Sequence, residues 1–263
     1  MKLVATDLDG TVVRADGTIS PRTLAAFAAC ADAGIDVVFV TGRPPRWLGT
    51  VIEQTGHTGT AVCSNGALVY DLAAGRVVST QPMSAEVVLE TAARVSRLCP
   101  GTAYAVERPH GFGREAGYVA RYDAGVAHQP QLLTELAADG DVVKLLCRNE
   151  SSNSDAMLAA VREALEGLVT PTHSGVAGGL LEVSAYGVSK AATLAGLAAE
   201  RGIGAADVIA FGDMPNDIEM LRWAGTGYAM SEGHPDAIAA ADALAPPCAD
   251  DGVAQVIEWL LER

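Results

Sequence analysis

Short apolar runs alternate with longer helical patterns at both ends of the chain, in residues 1–81 and 185–263. The runs Leu3–Leu8, Ile35–Val40 and Val208–Phe211 are continuous, which is typical of parallel strands buried on both faces. The segments between such runs are long enough for crossover helices. The alternation predicts an α/β fold whose core is a Rossmann-like, doubly wound parallel sheet.

The first helix of this core has clear boundary signals. Ser20 is a suitable N-cap, Pro21 fits the first helical position, and Gly34 ends the helix after Ala33. Further helices are expected at 189–201, 217–224 and 253–261, a short strand at 227–230, and a hairpin at 67–70 and 76–79.

The pattern changes between residues 82 and 184. Strands are predicted at Tyr118–Tyr122 and Val142–Cys147, and helices at Ala85–Leu98 and Asp155–Leu165. These elements do not continue the parallel core. The sequence therefore predicts a core domain formed by 1–81 and 185–263, with a separate α+β domain at 82–184 inserted into it.

Charge and composition narrow the classes of partner. The 18 basic and 32 acidic residues give a net charge of −14, which opposes broad binding to nucleic acid or to an anionic membrane. The five cysteines form no Cys-x-x-Cys pair, so free buried thiols are expected. No apolar run reaches the ~20 residues of a membrane span or forms a leader, which favours a soluble protein of the cytoplasm.

Polar side chains follow three of the predicted core strands. Asp7 and Asp9 follow the first strand, Thr41–Arg43 the second, and Asp213 the strand that ends at Phe211. Because parallel strands present their carboxyl ends at one edge of the sheet, these residues are expected to converge there. Several carboxylates in one crevice repel each other unless a cation neutralises them, and Mg²⁺ suits such oxygen ligands.

Together these segments resemble the four ordered motifs of the haloacid dehalogenase superfamily of phosphatases. The motifs are Asp7–Thr11, Thr41–Arg43, Lys190 and Gly212–Asp217. Ser64–Gly66 before the inserted domain and Gly187–Lys190 after it resemble the Cof-like branch, whose members act on sugar phosphates and small metabolites. Four motifs in order at strand ends are much more specific than one.

The resemblance implies a catalytic pair. Asp7 is the expected nucleophile, which attacks phosphorus and becomes an aspartyl phosphate. Asp9 is expected to protonate the leaving oxygen and later to activate water, while its backbone carbonyl ligates the metal. A carboxylate is already ionised at neutral pH, so Asp7 needs no base to activate it.

The resemblance also implies metal and phosphate ligands. Mg²⁺ is expected at Asp7, Asp9 and Asp213, with Asp217 in direct or indirect support. The phosphoryl oxygens are expected to bind the four residues Thr41, Gly42, Lys190 and Asn216. Because Ser189 reads as an N-cap, Lys190 is a cation in the first turn of a helix, where the macrodipole disfavours it unless an anion lies nearby.

Other interpretations of single residues stay open. Thr41 and Asp213 are also residues of turns and caps, and Asp217 is equally consistent with a helix N-cap. Arg43 fits an exposed charge as well as a site residue. In Ser231–Pro235 the chain departs from the Gly-Asn-Ala-like turn that is usual in the branch, which leaves any contact made by that asparagine in doubt.

The sequence thus predicts a Mg²⁺-dependent phosphatase that acts on a small phosphorylated metabolite. The inserted domain is expected to act as a cap that closes over the site, excludes water and selects the substrate. Two alternatives stay open: a phosphomutase of the same superfamily, and a non-catalytic protein in which Asp7 only accepts phosphate. The sequence identifies neither the substrate nor the oligomeric state.

Overall fold

The computed structural model describes residues 1–120, 129–176 and 178–263. The strands in chain order are β1 (Leu3–Thr6), β2 (Asp36–Val40), β3 (Thr60–Cys63), β4 (Leu68–Asp71), β5 (Arg76–Thr80), β6 (Ala103–Arg108), β7 (Gly111–Arg114), β8 (Lys144–Arg148), β9 (Val169–Thr172), β10 (Leu180–Ala185), β11 (Val208–Gly212), β12 (Thr226–Met230) and β13 (Ala243–Ala245). The α-helices are α1 (Pro21–Asp32), α2 (Gly49–Thr55), α3 (Ala85–Leu98), α4 (Leu133–Ala138), α5 (Ser154–Leu165), α6 (Lys190–Glu200), α7 (Ile218–Trp223), α8 (Pro235–Ala240) and α9 (Gly252–Leu261).

The chain divides into two compact units. The first comprises Met1–Ser79 and Ser189–Arg263, and the second comprises Thr80–Val188. Each unit has a sheet and an apolar core of its own. The role of the second unit as a cap, predicted from the sequence over 82–184, stays a prediction.

The first unit is built on a parallel sheet, which confirms the predicted fold class. Its strand order is β13-β12-β11-β1-β2-β3-β4-β5, and the pairs from β13 to β3 are parallel. Leu3 of the central strand pairs with Val208 on one side and with Asp36 on the other. Because β11, β1 and β2 run side by side, the residues that follow them lie at one edge of the sheet.

Helices cover both faces of this sheet. The apolar residues of α6, α7 and α8 pack with Leu3, Ala5 and Val38 on one face. On the opposite face, Phe27 of α1 contacts Phe39, with their ring centroids 5.9 Å apart. Side chains of a strand alternate between faces, so successive residues of β2 pack alternately against the helices on one face and on the other.

Helix α1 begins where the sequence predicts it. The Ser20 side chain accepts a hydrogen bond from the N–H of Thr23 at 3.0 Å, and Pro21 occupies the first helical position. Thr23, Phe27 and Cys30 are buried, which gives the helix one face against the sheet. The capping hydrogen bond and this buried face together explain the position of α1.

The second unit is an antiparallel sheet in the order β7-β6-β8-β10-β9. One face of it packs against α3, α4 and α5 through a large apolar cluster. The other face carries a smaller cluster that includes Phe112 and Leu146, and a buried ion pair between Lys144 and Glu182 at 2.6 Å. This unit is therefore α+β.

One predicted element of the second unit is wrong in its described part. Residues 118–120 of the predicted strand Tyr118–Tyr122 belong to no strand, while 121 and 122 lie outside the described residues. Tyr118 is buried because its ring packs against Phe112, and its N–H donates to the carbonyl oxygen of Glu115 in a turn. The sequence pattern therefore did not distinguish this single buried residue of a loop from a residue of a strand.

Two further expectations concern thiols and membranes. All five cysteines are free and buried, as predicted. Within the described ranges, no helix combines the length and the apolar character needed to cross a lipid bilayer.

Candidate active site

Asp7 lies directly after the central strand β1. Its N–H donates to the carbonyl oxygen of Phe211 at 3.0 Å, which continues the pairing of β1 with β11 and fixes the backbone of Asp7. The side chain is buried, and its Oδ1 accepts a hydrogen bond from Nζ of Lys190 at 2.6 Å. The sheet therefore holds this carboxylate at its edge beside a cation.

Lys190 bridges two carboxylates. Its Nζ donates to Oδ1 of Asp7 and to Oδ1 of Asp217, each at 2.6 Å, and the side chain is fully buried. Burial would lower the pKa of Lys190, but the charges of Asp217 and Asp7 and their hydrogen bonds raise it above its usual value. The ammonium group is therefore a permanent positive charge beside Asp7.

Asp217 also closes the turn that follows β11. Its Oδ2 accepts hydrogen bonds from the N–H groups of Asp213 at 3.1 Å and Met214 at 3.0 Å. Both of its oxygen atoms are therefore engaged, one with Lys190 and one with this turn. Asp217 thus has a bracing function in the structure, whichever part it takes in binding a metal.

Asp213 is the third carboxylate of the cluster. Thr11 donates its hydroxyl to Oδ1 of Asp213 at 3.2 Å. Gly10 lies so close that a Cβ at this position would be 2.5 Å from Oδ2 of Asp213, and its φ of +79° is itself a conformation that favours glycine. The turn after β1 therefore needs glycine in order to approach Asp213.

The loop Ser231–Pro235 supports the Asp213 backbone. The N–H of His234 donates to the carbonyl oxygen of Asp213 at 2.7 Å, and Gly233 lies against the same peptide. These contacts use the backbone of the loop, so they do not require the asparagine that is usual in the Cof-like branch.

The pKa values of Asp7 and Asp213 are both raised. Burial raises the pKa of Asp7 well above its usual value, against the lowering effect of Lys190, and the charges of Asp217 and Asp213 raise it further. Burial, and then the charge of Asp217, raise the pKa of Asp213 to about 7. Protonation is therefore competitive with ionisation at this site unless another cation neutralises the cluster.

The three carboxylates fit a divalent metal ion. One oxygen atom from each of Asp7, Asp213 and Asp217 lies within 4.8 Å of the other two. When all three are ionised, their charges exceed that of Lys190, and the cluster then has an excess of negative charge. Hard oxygen donors and excess negative charge are what Mg²⁺ requires of a protein site.

The side chain of Asp9 is placed differently from these three. It is 60% exposed and forms a bidentate ion pair with Arg43, whose Nε donates to Oδ2 at 2.7 Å. The guanidinium also donates to the carbonyl oxygen of Trp47 at 3.3 Å. Arg43, whose role the sequence left open, therefore orients Asp9. Its two parallel N–H groups bind both carboxylate oxygens, which allows the Asp9 carboxylate one orientation. The proposed metal contact of the Asp9 carbonyl stays a prediction.

Thr41 and Gly42 follow β2, the neighbour of β1. Thr41 is buried, its N–H donates to the carbonyl oxygen of Val62 at 2.8 Å, and its Oγ1 accepts from the N–H of Arg43 at 3.1 Å. The hydroxyl thus caps the turn and still has its own hydrogen to donate.

Asn216 precedes α7 and is buried. Its Nδ2 donates to Oδ1 of Asn65 at 3.0 Å. Asn65 belongs to the Ser64–Gly66 turn, which the sequence marked only as a feature of the branch and not as part of the site. Only the three-dimensional arrangement connects this turn with Asn216, because the two lie far apart in the chain.

Comparisons with known proteins identify the family of the chain. The family model described as haloacid dehalogenase-like hydrolase matches residues 4–257. The chain is 25% identical to the 5-amino-6-(5-phospho-D-ribitylamino)uracil phosphatase of Bacillus subtilis, over 97% of this chain and 96% of that protein. It is also 25% identical to the pyridoxal phosphate phosphatase of Escherichia coli, over 97% of each. A solved sugar phosphatase of HAD subclass IIB has the same fold, with a TM-score of 0.82, 23% identity and 99% coverage of both chains.

Proposed function

We propose that this chain, which belongs to the haloacid dehalogenase-like hydrolase family and is a phosphatase, transfers the phosphoryl group of a small metabolite first to Asp7 and then to water. One observation carries this proposal. The buried Asp7 carboxylate lies at the edge of the sheet, 2.6 Å from the Lys190 ammonium and within 4.8 Å of two further carboxylates. A nucleophile, a fixed cation and the ligands for a metal are thereby concentrated at one point.

In the first step, an Asp7 oxygen forms a bond to phosphorus while the bond from phosphorus to the ester oxygen breaks. The proton of the Asp9 carboxyl passes to the departing oxygen, which leaves as an alcohol. Lys190, Thr41, Gly42 and Asn216 bind the phosphoryl oxygens and oppose their charge.

In the second step, the Asp9 carboxylate takes a proton from water. The water oxygen attacks phosphorus, and the bond between phosphorus and Asp7 breaks. Inorganic phosphate leaves, and both carboxyl groups return to their starting states. Arg43 holds the ionised Asp9 carboxylate in one orientation for this second step by its bidentate ion pair.

We further propose that Mg²⁺ is held by Asp7, Asp213 and the Asp9 carbonyl, with Asp217 bracing the turn that carries Asp213. When bound, the ion supplies charge neutralisation for the phosphoryl group and for the carboxylates. The raised pKa values of Asp7 and Asp213 support this assignment, because they identify charge that the protein alone leaves uncompensated.

The proposed substrates are small phosphate monoesters, with sugar phosphates and phosphorylated cofactors as the first choices. The relatives support this class, because one acts on a phosphorylated ribitylaminouracil and one on pyridoxal phosphate. The net charge of −14 argues against an extended polyanion. We assign the selection of the substrate to the inserted domain, which differs in architecture from the catalytic unit.

Phosphate release from a panel of phosphorylated metabolites and an aryl phosphate, with and without Mg²⁺, tests the function. Wild type should release phosphate over many turnovers, and Asp7→Asn should not. Asp16→Asn serves as the matched control, because Asp16 is an exposed carboxylate of the same unit whose side chain accepts hydrogen bonds from the nearby Thr18. A single phosphorylation event without turnover would indicate a phospho-accepting protein, and isomerised substrate without free phosphate would indicate a phosphomutase.

A further inference from the structure

The Ser64–Gly66 turn has an unusual backbone. Ser64, Asn65 and Gly66 have φ angles of 51°, 58° and 100°, and all three residues are buried. Left-handed conformations of residues other than glycine persist only where the surrounding structure enforces them, and they are concentrated at functional sites. An asparagine tolerates this conformation better than most residues.

The turn is fixed to the loop that follows β2. The N–H of Ser64 donates to the carbonyl oxygen of Arg43, and the N–H of Asn65 donates to that of Thr41, each at 3.0 Å. Thr41 is a proposed phosphate ligand and Arg43 orients Asp9. These two hydrogen bonds therefore fix the Ser64–Gly66 turn relative to Thr41 and Arg43.

The turn also packs against the start of α6. A Cβ at Gly66 would lie 2.2 Å from the carbonyl oxygen of Ser189, so only glycine fits. Thr193 donates its hydroxyl to the carbonyl oxygen of Gly66 at 2.7 Å. Because Lys190 is the first residue of α6, the turn fixes the helix end that presents this lysine to Asp7.

The side chain of Asn65 contacts Asn216, which precedes α7. Its Oδ1 accepts one N–H of the Asn216 amide at 3.0 Å, which leaves the second N–H of that amide for another acceptor. Nδ2 of Asn65 and Oδ1 of Asn216 are buried without a hydrogen-bond partner among the described residues, as is the Ser64 hydroxyl. A turn that served only the fold would not be expected to concentrate unsatisfied polar atoms in this way.

We propose that Asn65 is a positioning residue for phosphate binding, which acts by holding the Asn216 amide so that its second N–H faces the phosphoryl oxygens. This proposal rests on the proposed phosphatase function. Asn65 itself need not contact the substrate. The rest of the Ser64–Gly66 turn fixes Asn65 relative to Thr41 and Lys190. The turn therefore contacts the loop or helix of each proposed phosphate ligand: Thr41, Gly42, Lys190 and Asn216.

The test compares Asn65→Gly with wild type. Glycine accepts a φ of 58° without strain and removes the acceptor of the Asn216 hydrogen bond. The Michaelis constant for an aryl phosphate and the inhibition constant of inorganic phosphate should each rise about three- to tenfold, while kcat changes much less. Asn65→Ala repeats the measurement with a residue that keeps Cβ.

Gln54→Ala is the matched control, because Gln54 also uses its amide to connect loops of the same unit, at Ile19 and Gly17, and has no assigned role in the site. It should lower Tm without raising either constant. A double-mutant cycle with Asn216→Ala tests the route of the effect: Asn65→Gly should have little further effect once Asn216 is absent. An equal effect in both backgrounds, or unchanged constants in Asn65→Gly, overturns the positioning role.

Inorganic phosphate binding, measured as a rise in Tm in the presence of Mg²⁺, separates this proposal from the phosphatase function. Wild type that binds phosphate without hydrolysing esters would refute the phosphatase function. Phosphate binding by Asn65→Gly and by wild type could still be compared, so the positioning role would still be tested. Wild type that hydrolyses esters, together with Asn65→Gly that binds phosphate equally well, would refute only the positioning role.

Discussion

Replacing Lys190 with methionine removes the one cation that the described residues place between Asp7 and Asp217. Methionine keeps most of the side-chain volume, so the change is mainly one of charge. The ammonium is fully buried and bonds to both carboxylates at 2.6 Å. Removing one partner of a buried ion pair costs about 3–5 kcal/mol, because the remaining charge has neither water nor a counter-ion.

The effect on stability should depend on pH. Lys190 lowers the pKa of Asp7, so its loss raises that pKa further. A carboxyl group whose pKa is raised on folding binds more protons in the folded state, and its ionisation then destabilises that state. The stability deficit of Lys190→Met should therefore be small near pH 4, where its raised pKa keeps the Asp7 carboxyl protonated, and should grow as the pH rises towards 8 in the absence of metal.

The effect on catalysis should be larger than the effect on folding alone. Loss of a fixed charge at the reacting phosphoryl group typically lowers kcat about 10²- to 10³-fold. The assays are denaturant unfolding at several pH values and hydrolysis of a small aryl phosphate, corrected for the folded fraction. Lys144→Met is the control for stability, because Lys144 is equally buried and pairs with Glu182 at 2.6 Å in the other unit. It should be destabilised while its kcat for the aryl phosphate stays near that of wild type.

Wild-type stability at pH 8 combined with wild-type kcat in Lys190→Met would refute this reasoning. So would a stability deficit that shrinks as the pH rises.

Three further predictions concern the metal cluster and the acid–base residue. Without metal, stability should fall as the pH rises from about 4 to about 7, because the raised pKa of Asp213 makes its ionisation unfavourable in the folded state. Thermal unfolding should show that Mg²⁺ restores the lost stability and that Asp213→Asn makes Tm less dependent on pH over this range. Gly10→Ala should weaken activation by Mg²⁺, because the added Cβ would clash with Asp213. The control Gly17→Ala, at a similar φ of +82° with nothing within 4 Å, should only lower Tm. Equal Mg²⁺ activation curves for Gly10→Ala and wild type would count against a need for glycine beside Asp213. Arg43→Lys should lower kcat about tenfold or more while changing the Michaelis constant less, because lysine cannot form the bidentate pair with Asp9; steady-state kinetics that match wild type would remove Arg43 from the mechanism.

The fold of the first unit could be predicted because its central strands are parallel and buried on both faces. Such strands are continuous apolar runs, and the polar residue after each run identifies the functional edge of the sheet. Asp7, Thr41 and Asp213 were recognisable for this reason. Their ordered spacing then made the family resemblance specific.

Other parts of the molecule could not be predicted in the same way. Strands β6 and β10 contain the buried glutamates Glu107 and Glu182, which interrupt the apolar pattern that would have indicated a strand. The pairing of Arg43 with Asp9 and of Asn65 with Asn216 depends on loop geometry and on contacts distant in sequence. A sequence pattern identifies residues that share an element, but it does not identify the partners that loops bring together.

The central claim is that the phosphoryl group passes through Asp7. The direct measurement uses Asp9→Asn with p-nitrophenyl phosphate and Mg²⁺, because this leaving group departs without protonation while hydrolysis of the intermediate is slowed by loss of the Asp9 base. Acid quenching, reduction of the acyl phosphate by borohydride and peptide mass spectrometry then locate the modified residue. Homoserine at position 7 is the expected result; modification at another residue, or continued phosphate release by Asp7→Asn, would contradict the account.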